Sequence, residues 1–187
     1  MSADDVSTSL HAFVARAFQQ AGRDWFEAPY DSSWRSDCEI GEPEGELIRW
    51  RPTKQSTPVD FSGLSNALDT PIHEDICAYY GTFWSGSLES KSKEGHVSLI
   101  QLWNQEDFER LVENLVGHAL AKRRAKQPFT VFFANTEIQS ELFLSIDNES
   151  GKVLLEEPGR APIKVVDDNV ARFLDRLQPI DTTPGIY

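Results

Sequence analysis

The sequence predicts one α+β domain, built from a mainly antiparallel sheet with helices packed against it. Some apolar residues recur at steps of three and four, as on one face of a helix, whereas shorter segments alternate apolar and polar residues, as half-buried strands do. Two strand-like segments, 142–146 and 153–155, are joined by the turn sequence at 147–151, which predicts an antiparallel hairpin. Hairpins combined with separate helices are typical of the α+β class.

The centre of the chain gives the clearest prediction of local structure. Alternating apolar residues predict a strand at about 96–103, and Asn104 is placed to cap a helix whose first turn contains Asp107. Pro128 marks the end of this helix, and a strand is predicted at 129–134. We expect the strand, helix and strand to pack as one unit. The apolar stripe of the helix consists of Phe108, Leu111, Val112, Leu115, Val116, Ala119 and Leu120.

Further elements are predicted on both sides of this unit. A first helix is expected at about 5–21, and the stretch 24–46, which contains two prolines and two glycines, is expected to be rich in loops. A second helix could be capped by Asp69 or Thr70. Its buried face would consist of Ile72, Ile76, Tyr79, Tyr80 and Phe83. Short strands are predicted at 47–50 and 87–92, and a final helix at 168–177.

Length and composition indicate a single domain. The 187 residues are 40% hydrophobic and can form a substantial core. We expect one domain at residues 1–180, with 181–187 as a flexible C-terminal tail. No apolar run approaches the roughly 18 to 20 residues of a membrane-spanning helix, and the first residues lack the pattern of a secretion signal. We therefore expect a cytosolic protein that does not insert into membranes. Cys38 and Cys77 are expected to be reduced thiols.

The net charge restricts the classes of binding partner. The chain has 30 acidic and 18 basic residues and a formal charge of -12. A negative field repels nucleic acids and anionic lipids, so a partner rich in lysine and arginine is favoured and nucleic acid is not.

No pattern in the sequence predicts catalysis. The segment from His73 to Cys77 only superficially resembles a zinc-binding HExxH helix, because Cys77 stands where the second histidine should be. A hydrogen-bonded structural role is favoured over a catalytic role for His118. No nucleophile, phosphate-binding or dinucleotide-binding motif occurs. We expect no enzyme activity, no cofactor and no metal site.

A group of motifs in the central unit carries a family resemblance. The predicted central helix contains Glu113-Asn114-Leu115-Val116-Gly117-His118, preceded by Leu99 to Trp103 and Glu106-Asp107-Phe108 and followed by Thr130-Val131-Phe132. With these residues the chain resembles the SecY-interacting protein Syd family of bacteria, over about residues 10–180. Similar segments outside the unit are Ile72-His73, Tyr79, Tyr80, Trp84-Ser85-Gly86, Asp147-Asn148, Ser150-Gly151, Val153, Phe173-Leu174, Leu177 and Pro179. The chain departs from the family at Val112 and Ala125, where Gln and Leu are common.

The resemblance implies a noncatalytic protein that binds SecY, the channel subunit of the bacterial translocase, at the cytosolic face of the inner membrane. Its role would be quality control or negative regulation of protein translocation. Since cytosolic loops of membrane proteins carry an excess of lysine and arginine, an acidic docking surface is expected. The candidate contacts are Glu27, Asp31, Asp37, Glu39, Glu42, Glu44, Glu46, Glu74 and Asp75. We expect a monomer associated peripherally with the membrane. An immunity-type protein that neutralises a basic toxin nuclease is the alternative.

Each candidate feature also has a purely structural interpretation. The acidic stretch could be a solvated connection, and Glu74 and Asp75 could stabilise the start of a helix. Among the interleaved aromatic residues Trp25, Phe26, Tyr30 and Trp34, at least two are expected in the core and the others could anchor a partner. The cations Lys122, Arg123, Arg124 and Lys126 could bind phosphate or anionic lipid, but stabilisation of the last helical turn is the favoured interpretation.

Overall fold

The computed structural model describes residues 3–137 and 139–181, and five helices lie in this part of the chain. They are α1 (Ala3–Ala21), α2 (Ser62–Leu68), α3 (Glu74–Thr82), α4 (Gln105–Arg124) and α5 (Val170–Arg176). The two longest, α1 and α4, carry the most regular apolar spacing. Val6, Leu10 and Phe13 of α1 are each at most 1% exposed, and Leu115 of α4 is fully buried.

Most of the strands belong to one sheet. They are β6 (Leu88–Ser92), β7 (Gly95–Leu99), β8 (Thr130–Asn135), β9 (Phe143–Asp147), β10 (Val153–Glu156), β11 (Lys164–Asp167) and β12 (Gln178–Pro179). These seven strands pair antiparallel in the order β11–β10–β9–β8–β7–β6–β12. A separate three-stranded antiparallel sheet consists of β1 (Phe26–Pro29), β2 (Glu39–Glu44) and β3 (Leu47–Trp50) in the order β1–β3–β2, and β4 (Thr53–Lys54) pairs with β5 (Phe83–Trp84).

Helices cover both faces of the seven-stranded sheet. On one face, the ring of Phe133 in β8 packs against Tyr79 of α3 at 5.3 Å and Phe173 of α5 at 5.8 Å between centroids. On the other face, the next residue back along the strand, Phe132, packs against His118 of α4 at 5.9 Å. Because successive side chains of a strand point to opposite faces, this single strand connects the two layers of helices.

The three-stranded sheet is attached to this core through aromatic residues. Phe26 packs 5.5 Å from Phe18 of α1, and Trp50 packs 5.1 Å from Phe26 and 6.0 Å from Trp103, just before α4. A Cβ atom at Gly86 would lie 2.7 Å from the ring of Trp50, so only glycine lets the two segments approach this closely. The small sheet is therefore a fixed part of the domain.

Several predictions from sequence are confirmed. The domain is α+β with antiparallel pairing in its sheets, α1 and α4 lie where their periodicity placed them, and Asn104 caps α4. The predicted hairpin is formed by β9 and β10, where Gly151 has the left-handed φ of 71° that the turn requires.

Other predictions were wrong. The stretch 24–46 contains β1 and β2, and the short helix α2 was not predicted. The second helix begins at Glu74 with His73 as its cap, because the side chain of Asn148 accepts a hydrogen bond from the His73 amide at 3.0 Å and donates one to the Pro71 carbonyl at 2.9 Å. These two bonds keep the chain extended up to residue 73. Residues 182–187 of the predicted tail lie outside the described part of the chain.

The cap of α4 can be tested by substitution. Asn104 Oδ1 accepts a hydrogen bond from the Asp107 amide at 2.9 Å, and Asn104 Nδ2 donates one to the Arg35 carbonyl at 2.8 Å. We expect Asn104→Ala to lower the free energy of unfolding by about 1 to 2 kcal/mol, measured by urea denaturation. Asn104→Asp retains the acceptor for the cap and should lose less. Equal stability of the Ala variant and the natural chain would contradict the role of the cap.

Candidate functional site

The three-stranded sheet has an inner and an outer face. Phe26, Ile48 and Trp50 point inward and are each at most 2% exposed. The alternate positions point outward, where Glu27 of β1 lies directly across from Arg49 of β3, which in turn lies across from Ile40 of β2. Strand alternation thus places Glu27, the acidic residue of β1, on the outward face.

Three carboxylates of this region are neutralised by neighbouring arginines. Glu44 pairs with Arg49 at 2.9 Å, and Asp24 pairs with Arg51 at 3.3 Å. The third pair joins Glu39 to Arg35 at 2.5 Å, and the side chain of Glu39 is only 4% exposed. Glu39 lies on the inner face opposite Trp50, so it anchors the strand and does not contribute an exposed charge.

The other five carboxylates of this region are called the acidic surface. They are Glu27, Asp31, Asp37, Glu42 and Glu46. In the ranges that the structure describes, none of the five forms an ion pair with a lysine or arginine. Asp31 accepts hydrogen bonds from the Ser33 hydroxyl and amide, which lower the pKa of its carboxyl group. The acidic surface therefore presents carboxylates that are not engaged in ion pairs with described residues, although Arg49 lies across from Glu27 and the charge of Glu42 acts on Arg35.

The loop between β1 and β2 is fixed to the start of α4. Trp103 Nε1 donates a hydrogen bond to the Trp34 carbonyl at 2.9 Å, and Asn104 Nδ2 donates to the Arg35 carbonyl. The Ser36 hydroxyl donates to the Trp103 carbonyl. These bonds hold a loop that carries two members of the acidic surface, so its charges are positioned before any partner arrives.

Of the four aromatic residues near the acidic surface, only Phe26 is fully in the core. The other three are partly exposed and each is stacked by a guanidinium group. The Cζ atom of Arg49 lies 4.5 Å from the ring centroid of Trp25, and that of Arg35 lies 5.2 Å from the ring centroid of Tyr30. The Cζ atom of Arg110 lies 4.0 Å from the ring centroid of Trp34.

The remaining two candidates lie elsewhere. Glu74 and Asp75 begin α3 beside the β9–β10 turn, where the imidazole of His73 caps the helix by accepting from the Asp75 amide at 3.1 Å. Asp75 is 5% exposed, and burial raises the pKa of its carboxyl group. It therefore offers no exposed carboxylate to a partner. Its position in the first turn of α3 is instead one where an acidic residue stabilises the helix dipole.

Two of the four basic residues at the end of α4, Lys122 and Arg123, bind groups within the fold. Lys122 is 6% exposed and pairs with the fully buried Glu156, which also accepts a hydrogen bond from the Ser145 hydroxyl. Arg123 donates to the Leu68 carbonyl at 3.4 Å. The burial of Lys122 could not be predicted from the sequence, because its partner lies 34 residues away.

The His118 side chain is hydrogen-bonded and half-buried. Its Nε2 lies 3.0 Å from the Thr130 hydroxyl, and its ring is surrounded by Phe129, Phe132 and Phe143 at 5.9 to 6.4 Å. Desolvation and the nearby charge of Lys122 lower its pKa, which favours the neutral imidazole. This arrangement is that of a structural histidine.

Comparison with known proteins assigns the family. A family profile described as "Syd protein (SUKH-2)" matches residues 6–179. The chain belongs to the Syd family. The match spans the three-stranded sheet, the central unit and α5, so the resemblance seen in the central helix extends through the domain. It does not favour the immunity-type alternative.

Curated relatives agree with this assignment. The chain is 37% identical to Protein Syd of Alteromonas mediterranea, with 94% of this chain and 97% of that protein covered. It is 36% identical to Protein Syd of Pseudoalteromonas atlantica, with 95% and 97% covered, and 38% identical to that of Tolumonas auensis, with 97% and 93% covered. These names suggest a noncatalytic protein. Within the described residues, no helix combines the length and apolar character needed to cross a membrane.

The buried Lys122–Glu156 pair can be tested with a double-mutant cycle. Because removal of one partner leaves the other charge buried and unpaired, Lys122→Met and Glu156→Gln should each lower the free energy of unfolding by about 3 to 5 kcal/mol. The double variant Lys122→Met/Glu156→Gln should lose less than the sum of the single losses. Chemical denaturation of the four proteins measures this coupling, and additive losses would rule it out.

Proposed function

We propose that this member of the Syd family binds basic cytosolic segments of SecY through the acidic surface of its three-stranded sheet. The observation that carries the proposal is the set of five carboxylates within residues 27–46 that form no ion pair with the other described residues, on a chain with a net charge of -12. Lysine- and arginine-rich loops of a membrane protein would supply the missing positive charge.

The physical design of this surface supports a docking role. Exposed ion pairs contribute only about 0.2 to 1 kcal/mol each, so useful affinity requires several of them together. The hydrogen bonds from Trp103 and Asn104 fix the β1–β2 loop and reduce the entropy lost on binding. The partly exposed rings of Trp25, Tyr30 and Trp34 lie among the carboxylates and provide apolar contact area.

We further propose that the protein acts without catalysis, as a monomer, at the cytosolic side of the inner membrane. Binding of SecY that is free or wrongly assembled would restrain translocation, as a form of quality control. Glu44, which is exposed but paired with Arg49, could exchange that intramolecular partner for a cation of SecY. Glu74 is a peripheral candidate, because it lies at the start of α3 and outside the three-stranded sheet.

The acidic surface can be tested by neutralisation. The triple variant Glu27→Gln, Glu42→Gln and Glu46→Gln removes three charges whose side chains form no hydrogen bond or ion pair with other described residues. We expect its affinity for SecY in detergent-solubilised membranes to fall about tenfold, as three pairs of about 0.2 to 1 kcal/mol each predict. Quantitative pull-down with a titrated amount of protein measures this affinity.

A matched control separates a local effect from the effect of net charge. Glu109→Gln, Glu149→Gln and Asp175→Asn remove the same number of exposed carboxylates outside the acidic surface. This control should bind SecY like the natural chain. If both triple variants lost affinity equally, or if neither lost any, the acidic surface would not be the docking site.

Salt provides an independent test. Because exposed charges are screened over about 8 to 10 Å at 0.1 to 0.15 M ionic strength, SecY binding by the natural chain should weaken steeply between roughly 0.05 and 0.5 M NaCl. The variant that lacks Glu27, Glu42 and Glu46 should depend less on salt, since fewer charge pairs are left to screen. Identical salt dependence of the two proteins would contradict an electrostatic role for these carboxylates.

A further inference from the structure

A second polar site is basic, whereas the surface described above is acidic. A cleft of about 580 Å³ opens between α1 and β12, the short strand at one edge of the seven-stranded sheet. Two cations, Arg16 and Lys91, line it together with the amide side chains of Gln19, Gln20 and Gln178. None of the described residues that line it carries a carboxylate, in a chain with 30 acidic residues.

The guanidinium group of Arg16 is held in a fixed orientation. Its Nη2 donates a hydrogen bond of 2.9 Å to the Leu174 carbonyl, at the end of α5, and its Cζ lies 5.7 Å from the ring centroid of Phe13. Among the described residues, its Nε and Nη1 groups have no hydrogen-bond partner and no carboxylate pairs with it. A guanidinium fixed on one side and free on the other is preorganised to bind an oxyanion.

The second cation stands on the neighbouring strand. Lys91 of β6 lies directly opposite Gln178 of β12, and opposite residues of an antiparallel pair have Cβ atoms about 5 Å apart on the same side of the sheet. Lys91 is exposed and forms no ion pair with the described carboxylates. Its ammonium group and the Gln178 amide can therefore donate to the same ligand.

We propose that this cleft binds a phosphate group, with Arg16 and Lys91 as the charged donors and the glutamine amides as neutral ones. A phosphate offers several acceptor oxygens and matches both a fork of guanidinium N–H groups and a mobile ammonium. The acidic surface does not prevent this, because its field is screened over about 8 to 10 Å at ordinary ionic strength. The proposal is independent of SecY binding.

The phosphate group could belong to a soluble compound or to an anionic phospholipid, and two probes distinguish these sources. Inorganic phosphate is titrated into the isotopically labelled full chain at constant ionic strength set with NaCl, and the amide signals of Gln19, Gln20 and Gln178 are followed by NMR. Separately, the chain is sedimented with vesicles of phosphatidylglycerol and phosphatidylcholine, and with vesicles of phosphatidylcholine alone. Saturable shifts without vesicle binding assign a soluble phosphate compound, whereas selective retention on the anionic vesicles assigns a lipid headgroup.

Matched lysine variants locate the site. Lys91→Gln should weaken phosphate or vesicle binding roughly fivefold to tenfold, because a charge-assisted hydrogen bond is lost. Lys164→Gln makes the same charge change on the exposed face of β11, at the far edge of the same sheet, and should bind like the natural chain. The proposal is overturned if neither probe binds, or if the two variants lose affinity equally.

Discussion

The structure depends on the junction at Trp103 and Asn104, where the chain leaves β7 and enters α4. The Asn104 side chain caps α4 through its oxygen and binds the Arg35 carbonyl through its nitrogen, while the Trp103 indole binds the Trp34 carbonyl. The start of the central helix and the loop of the small sheet are thus fixed by the same two residues. Trp103 also packs against Trp50, so the junction connects the core, the helix and the acidic surface.

Some charged side chains form ion pairs within the fold, and others are exposed at the surface. Within the acidic region, Asp24, Glu39 and Glu44 are paired with arginines and stabilise the local fold, whereas the five members of the acidic surface are left for solvent or a partner. The most deeply buried ion pair of the described residues lies elsewhere, between Lys122 and Glu156. The cleft beside β12 has the opposite sign. A net charge of -12 therefore describes the average of the molecule and not the chemistry of each face.

Elements with local signals could be predicted, and those defined by distant partners could not. The stripe and cap of α4 lie within one segment, and its start was placed correctly. The start of α3 was placed too early, because Asn148, which is 75 residues away from His73, holds the preceding segment extended. Of the candidate contacts, the sequence identified the acidic segment, but it could not reveal that Glu39 and Asp75 are buried.

The sequence by itself determined the α+β class, the long helices, the excess of carboxylates and membership in the Syd family, because periodicity, composition and family motifs are properties of the chain. Only the tertiary structure decided which carboxylates remain without a cation, since ion pairs such as Glu44–Arg49 depend on strand register. It also decided that Lys122 is buried and that Arg16 and Lys91 share a cleft. Residues far apart in sequence come into contact only when the sheet and helices pack. The distances between charged groups, and therefore the electrostatics of a surface, depend on that packing.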